Sequence, residues 1–87
     1  MKKMNEKTRN VQQIVIRHIS EYTDVEEKDI DVSMTLGNDL GITSFDLVSL
    51  AYEFEEEFKA ESEIDIPKDA ETVGDLVEFV KNMLERY

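Results

Sequence analysis

The run Ile42-Thr43-Ser44-Phe45-Asp46-Leu47 has the grammar of a helix start, and it leaves the residues after it little choice of structure. A glycine turn, Asp39-Leu40-Gly41, delivers two hydroxyl residues to its head. Behind them Leu47, Leu50, Ala51, Phe54 and Phe58 recur at the i, i+3, i+4, i+7, i+11 spacing of one buried helical stripe. With Thr43 as N-cap, Asp46 stands at N3 as its capping-box partner, and Ile42 and Leu47 take the N′ and N4 positions of a hydrophobic staple. The spacing predicts a helix over 44–59, whose stripe must be buried against other elements.

Two further segments share the period. Val11, Ile14, Val15, Ile19 and Tyr22 predict a first helix over 6–22, with His18 on the same face and Ile16 off the stripe. Val73, Leu76, Val77, Val80 and Leu84 predict a last helix from Thr72, with Asp75 as capping partner three positions on. From Thr23 to Thr43 the periodicity breaks, and Ser33, Thr35, Gly37, Asn38, Asp39 and Gly41 mark irregular structure. Val25, Ile30, Val32, Met34, Leu36 and Leu40 are expected to pin this stretch as an ordered loop, with a helical turn within 24–30. Residues 59–63 read as a polar loop. Ile64-Asp65-Ile66-Pro67 reads as an extended apolar insert, because proline pushes its predecessor out of the helical region, and Pro67 suits the start of a short turn through Ala70. The expected fold is all-α: a small three- to four-helix bundle with a long ordered loop between the first and second helices. It is one domain over 1–87, with residues 1–7 frayed.

A chain of 87 residues buries about 60–65% of its unfolded surface, enough for one unaided core. It has no cysteine, so neither a disulfide framework nor a thiolate metal site is available. Met1-Lys2-Lys3 leads into polar residues, and no apolar run approaches the ~20 residues that span a bilayer. A monomeric cytoplasmic protein without membrane insertion is expected. The 21 acidic residues against 10 basic ones give a net charge of −11. That balance opposes nucleic-acid binding and docking to anionic membranes, and it favours basic partner surfaces. Asp24–Ser33 is acidic but lacks the glycine of an EF-hand loop, so no metal site is expected.

Ser44 is the candidate functional residue. If Thr43 caps the helix, Ser44 at N1 keeps its hydroxyl free, and the helix dipole and unpaired amides favour negative charge there by about 0.3–1 kcal/mol. The alternative is that Ser44 is itself the N-cap, an ordinary helix-start residue. A nucleophilic serine would need a base and a group to orient it. His18 is the sole histidine and lies on the core-facing side of the first helix, so the chain is not expected to be an enzyme.

D-L-G-I-T-S-F-D-L, the amphipathic helix behind it, E-E-E-F, I-D-I-P and T-V-G-D stand in the order found in acyl carrier proteins, and the chain resembles that family over about residues 8–86. The resemblance implies that Ser44 accepts 4′-phosphopantetheine from coenzyme A through a phosphopantetheinyl transferase. The arm would then carry acyl thioesters among acyl-loading, condensing and modifying enzymes of fatty-acid, polyketide or related biosynthesis. Phe45, Val48 and Tyr52 form a second apolar face on the same helix, with Asp46, Glu53, Glu55 and Glu56 around it. Together with Thr43 these are the expected docking residues for basic partner surfaces. Phe54, Ile64, Ile66 and Val73 are the expected lining of a shelter for the acyl chain. The chain departs from housekeeping fatty-acid carriers at Thr43, where they usually place aspartate, and at Ser49 and Tyr52, where an acidic and an aliphatic residue are common. Those departures leave the attachment reading intact and the partner set open, so a specialised carrier is as much expected as a housekeeping one. The alternatives are an aminoacyl or peptidyl carrier, or, since a serine in the sequence does not establish modification, an unmodified carrier-like interaction protein.

Overall fold

The computed structural model describes residues 2–59, 66–67 and 69–85, with side chains from Val11 to Leu84 within those ranges. The three periodic segments form α1 (Lys2–Ser20), α2 (Ser44–Glu57) and α3 (Val73–Glu85). A single 3-10 turn, Glu27–Asp29, lies in the loop where a helical turn is expected. α1 begins before Glu6 and ends before Tyr22, because its tail tightens: Glu21 N donates to His18 O and Tyr22 N to Ile19 O. α2 stops at Glu57, with Phe58 as C-cap and Lys59 following at a φ of 52°, the left-handed conformation that commonly closes a helix. After Pro67 the chain makes one turn, with Ala70 N donating to Pro67 O at 3.2 Å, and no fourth helix is present among the described residues.

Each helix contributes its apolar stripe to one core: Val11, Val15, Ile16 and Ile19 from α1, Leu50, Ala51 and Phe54 from α2, and Val73, Leu76, Val77 and Val80 from α3. The stripe on α1 is broader than its period suggests. Ile16 is buried although it lies off the pattern, whereas Ile14 is only half-buried. The reason is that α1 packs against α3, α2 and the 3-10 turn, so more than one of its faces is covered. No described helix is long and apolar enough to cross a membrane.

The long loop is ordered by the residues expected to pin it, with one correction. Ile30, Leu36, Leu40 and Ile42 are buried, and Val25 and Met34 are half-buried against the core. At about 1.5–3 kcal/mol for each fully buried side chain, such anchors offset part of the ~1–2 kcal/mol per residue that ordering the backbone costs. Val32 instead turns outward, 37% exposed, and contributes through its backbone.

That backbone meets the entrance to α3. Thr35 forms an isolated antiparallel bridge with Thr72, and Leu36 N donates to Glu71 O at 2.8 Å. Val73 N then donates to Met34 O at 3.0 Å and Gly74 N to Val32 O at 2.9 Å. The approach is close at Gly74, where an added Cβ would lie 3.2 Å from Val32 O and the backbone would have to give by a few tenths of an ångström. Thr72 and Asp75 complete the entrance as a full capping box, with Asp75 N on Thr72 Oγ1 at 3.0 Å and Thr72 N on Asp75 Oδ2 at 3.1 Å.

The amides of Glu71 and then Thr72 donate to Asp75 and hold its carboxyl below the ordinary aspartate range. A depressed folded-state value contributes stability above the unfolded value of about 3.9, and that contribution is lost as pH falls through the folded value. Asp75→Asn is therefore expected to unfold at lower urea than the wild type near neutral pH, with the gap closing below about pH 4. Urea titrations followed by circular dichroism across that range measure the gap.

Candidate functional site

Leu36 to Thr43 is a closed turn built from local hydrogen bonds. Thr35 N donates to Asp39 Oδ2 at 2.8 Å and Asp39 N to Thr35 Oγ1 at 3.0 Å, while Gly41 N reaches Gly37 O at 2.9 Å and Ile42 N reaches Leu36 O at 2.7 Å. Gly41 takes a φ of 69°, which would cost an L-residue about 1–2 kcal/mol. Leu40 and Ile42 are buried on either side of it, so the chain dips into the core and surfaces at Thr43.

At Thr43 the capping box is complete. Asp46 N donates to Thr43 Oγ1 at 3.1 Å and Thr43 N to Asp46 Oδ2 at 2.8 Å, and Leu47 N takes the Thr43 carbonyl at 3.0 Å. Ser44 is exposed at N1, and its hydroxyl bonds to none of the described residues. The arrangement decides between the two sequence readings of the serine: Thr43 is the cap. The amides of Ser44 and Phe45 likewise meet no acceptor among the described residues. At the corresponding positions of α3 the carbonyls of Met34 and Val32 fill that role. One helix start is closed by the protein's own backbone, and the other is left open to an anion.

Beyond Ser44, α2 presents Phe45, Val48 and Tyr52 at 86%, 56% and 64% exposure, an apolar strip on the side away from the core. Glu56 is exposed and Glu55 half-buried. Thr43 and Asp46 are engaged with each other. Glu53 does not belong to that rim. Its Oε1 lies 2.6 Å from His18 Nδ1, and its Oε2 accepts the Tyr22 hydroxyl. One residue past Tyr52, it is rotated about 100° around the helix, towards α1. By accepting the phenolic proton, Glu53 holds Tyr22 above its ordinary pKa range, and burial acts in the same direction.

His18 is the centre of this second polar cluster. Its side chain is 14% exposed, its ring meets Phe54 edge-on at 5.6 Å, and its Nε2 lies 3.2 Å from Glu57 Oε1. The contact with Glu53 places it near the far half of α2, roughly 13 Å along the axis from Ser44 at 1.5 Å per residue. No histidine base serves the serine. Sequence reasoning missed the cluster, although a signal existed: His18 and Tyr22 stand four apart, at the end of α1 and just past it, as do Glu53 and Glu57 on α2.

Of the residues expected to shelter an acyl chain, Phe54 and Val73 are fully buried and Ile66 is half-buried against the core. Ile64 lies outside the described residues. Phe54 also packs against Phe58, with ring centroids 6.3 Å apart.

The division of roles at the head of α2 has a stability signature. Thr43→Ala is expected to cost about 1 kcal/mol, the usual loss of an N-cap, whereas Ser44→Ala is expected to stay within about 0.5 kcal/mol of wild type. Urea unfolding of the two variants side by side checks the assignment.

Residues 13–80 match a family model described as a phosphopantetheine attachment site. The acyl carrier protein of Phenylobacterium zucineum (strain HLK1) is 35% identical to this chain over 81 residues, covering 93% of this chain and 98% of the relative. The family match runs from within α1 to within α3 and contains the whole loop, the capping Thr43 and Ser44. The chain belongs to the acyl carrier protein family, whose members carry covalently attached 4′-phosphopantetheine.

Proposed function

We propose that Ser44 Oγ is the attachment point for 4′-phosphopantetheine and that the chain carries acyl intermediates between enzymes of fatty-acid, polyketide or related biosynthesis. The observation that carries this reading is the division at the head of α2: Thr43 supplies the cap, and Ser44 offers an exposed, unbonded hydroxyl beside two amides without an acceptor among the described residues. These features fit the group, because its phosphodiester is an anion and the helix start favours one.

In the transfer, Ser44 Oγ attacks the diphosphate of coenzyme A. An Oγ–P bond forms, the P–O bond to the departing nucleotide breaks, and the serine proton leaves to a base. His18 is too far away and Asp46 is held in the capping box, so the transferase supplies that base. Once attached, the group supplies a thiol that holds an acyl chain as a thioester. Tethering raises the effective concentration of that cargo at each enzyme visited. Phe54 and Val73 have no free surface, so a sheltered chain enters only by displacing core packing, and Ile66 is the more accessible contact.

The exposed strip beside Ser44 also defines the partners. Phe45, Val48 and Tyr52 call for an apolar socket near the serine, and Glu56 for basic groups further along α2. Incubation with coenzyme A, magnesium and a broad-specificity phosphopantetheinyl transferase is expected to add the mass of one phosphopantetheine to the wild type and none to Ser44→Ala. An unchanged wild-type mass, with a known carrier modified alongside, would refute the attachment. Tyr52→Ser is expected to lower kcat/KM of a partner enzyme about tenfold, a loss of about 1.4 kcal/mol, while its urea midpoint stays at the wild-type value.

A further inference from the structure

The cluster around His18 sets three carboxylates, those of Glu21, Glu53 and Glu57, about one imidazole. Both ring nitrogens face carboxylate oxygens, Nδ1 at 2.6 Å from Glu53 and Nε2 at 3.2 Å from Glu57. A neutral imidazole has one N–H to give. If Nε2 donates to Glu57, the Nδ1 lone pair points at a carboxylate oxygen, and a cation has to sit between the two. At 2.6 Å a proton meets that need, and a metal ion meets it once the two atoms part to about 3.3 Å.

Three features favour a metal site. Glu21 Oε1 stands 4.0 Å from Nδ1, and the donor atoms of His18, Glu21 and Glu53 all lie within 4.8 Å of one another. Donors sharing a tetrahedral ion at 2.0–2.1 Å are about 3.3 Å apart, a spacing bracketed by the 2.6 and 4.0 Å distances from Nδ1. Small rotations of Glu21 and Glu53 close the set. The outer contacts are those that orient metal ligands: Glu57 on the second nitrogen, itself 3.4 Å from Arg17, and the Tyr22 hydroxyl on the second oxygen of Glu53. A solvent-open polar pocket lined by Glu21, Tyr22 and Gly41 lies on the Glu21 side of the cluster.

We infer that His18 Nδ1, Glu21 and Glu53 form a binding site for one zinc-like divalent cation, which joins the end of α1 to the far half of α2. The imidazole favours zinc over magnesium or calcium, which prefer all-oxygen sets. The site is separate from Ser44, so its test requires no phosphopantetheine.

Isothermal titration of the full-length unmodified chain with zinc chloride tests it, with magnesium chloride as comparison. The expected result is one saturable zinc site, reversed by chelator. His18→Gln is expected to weaken binding at least tenfold and Glu21→Gln about tenfold, with Glu78→Gln, an exposed acid on α3, unchanged. Glu21 is largely exposed, so that variant keeps the fold even if His18→Gln does not. Ring 15N spectra of His18 are expected to shift at Nδ1 on zinc addition. Absence of saturable binding, or equal binding by wild type and Glu21→Gln, would overturn the inference and leave a proton between His18 and Glu53.

Discussion

Backbone pairing between the long loop and the entrance to α3 is the constraint on which the rest of the structure depends. Met34 and Val32 give their carbonyls to the first amides of α3, and Leu36 closes the same ladder on Glu71. These bonds leave the loop one path across the bundle. Leu36, Leu40 and Ile42 then enter the core at fixed points, and the chain emerges at Thr43 with its direction already set. A segment without a helix longer than one 3-10 turn is held in place by backbone hydrogen bonds to its own turns and to the entrance of α3, and by apolar side chains that reach the core.

Threonine and aspartate recur at the junctions of this architecture. Thr35 with Asp39, Thr43 with Asp46, and Thr72 with Asp75 each exchange a pair of side-chain to backbone bonds. The same chemistry has different results at the two helix starts. At α3 the capping box works with loop carbonyls and the end is sealed. At α2 nothing in the described chain covers the first two amides. The capping threonine frees its neighbour, so the serine's availability is set by the residue before it.

The helices and the head of α2 were legible in the sequence because both are local: periodicity reports which face is buried, and a capping box spans four residues. The match of Thr43 with Asp46, and the freedom of Ser44 that results from it, needed no knowledge of the fold. The features that were not legible depend on contacts between distant segments. Ile16 is buried because α1 has neighbours on more than one side. Val32 faces outward because its carbonyl, not its side chain, is the group α3 requires. Glu53 looks like part of an acidic rim until His18 and Tyr22 are seen across from it.

The ladder joining Leu36 to Glu71 has a kinetic consequence. All of α2 lies between its two halves, so the entrance to α3 is completed only after that long stretch of chain has closed on itself. Loop closure is an entropic cost met before its contacts form. Helical bundles fold fast because their contacts are short-range, and this one holds its third helix start with bonds typical of higher contact order. The ladder raises the contact order above that of the helices alone, which acts to slow folding, and it ties the entrance of α3 to the loop that leads into Ser44.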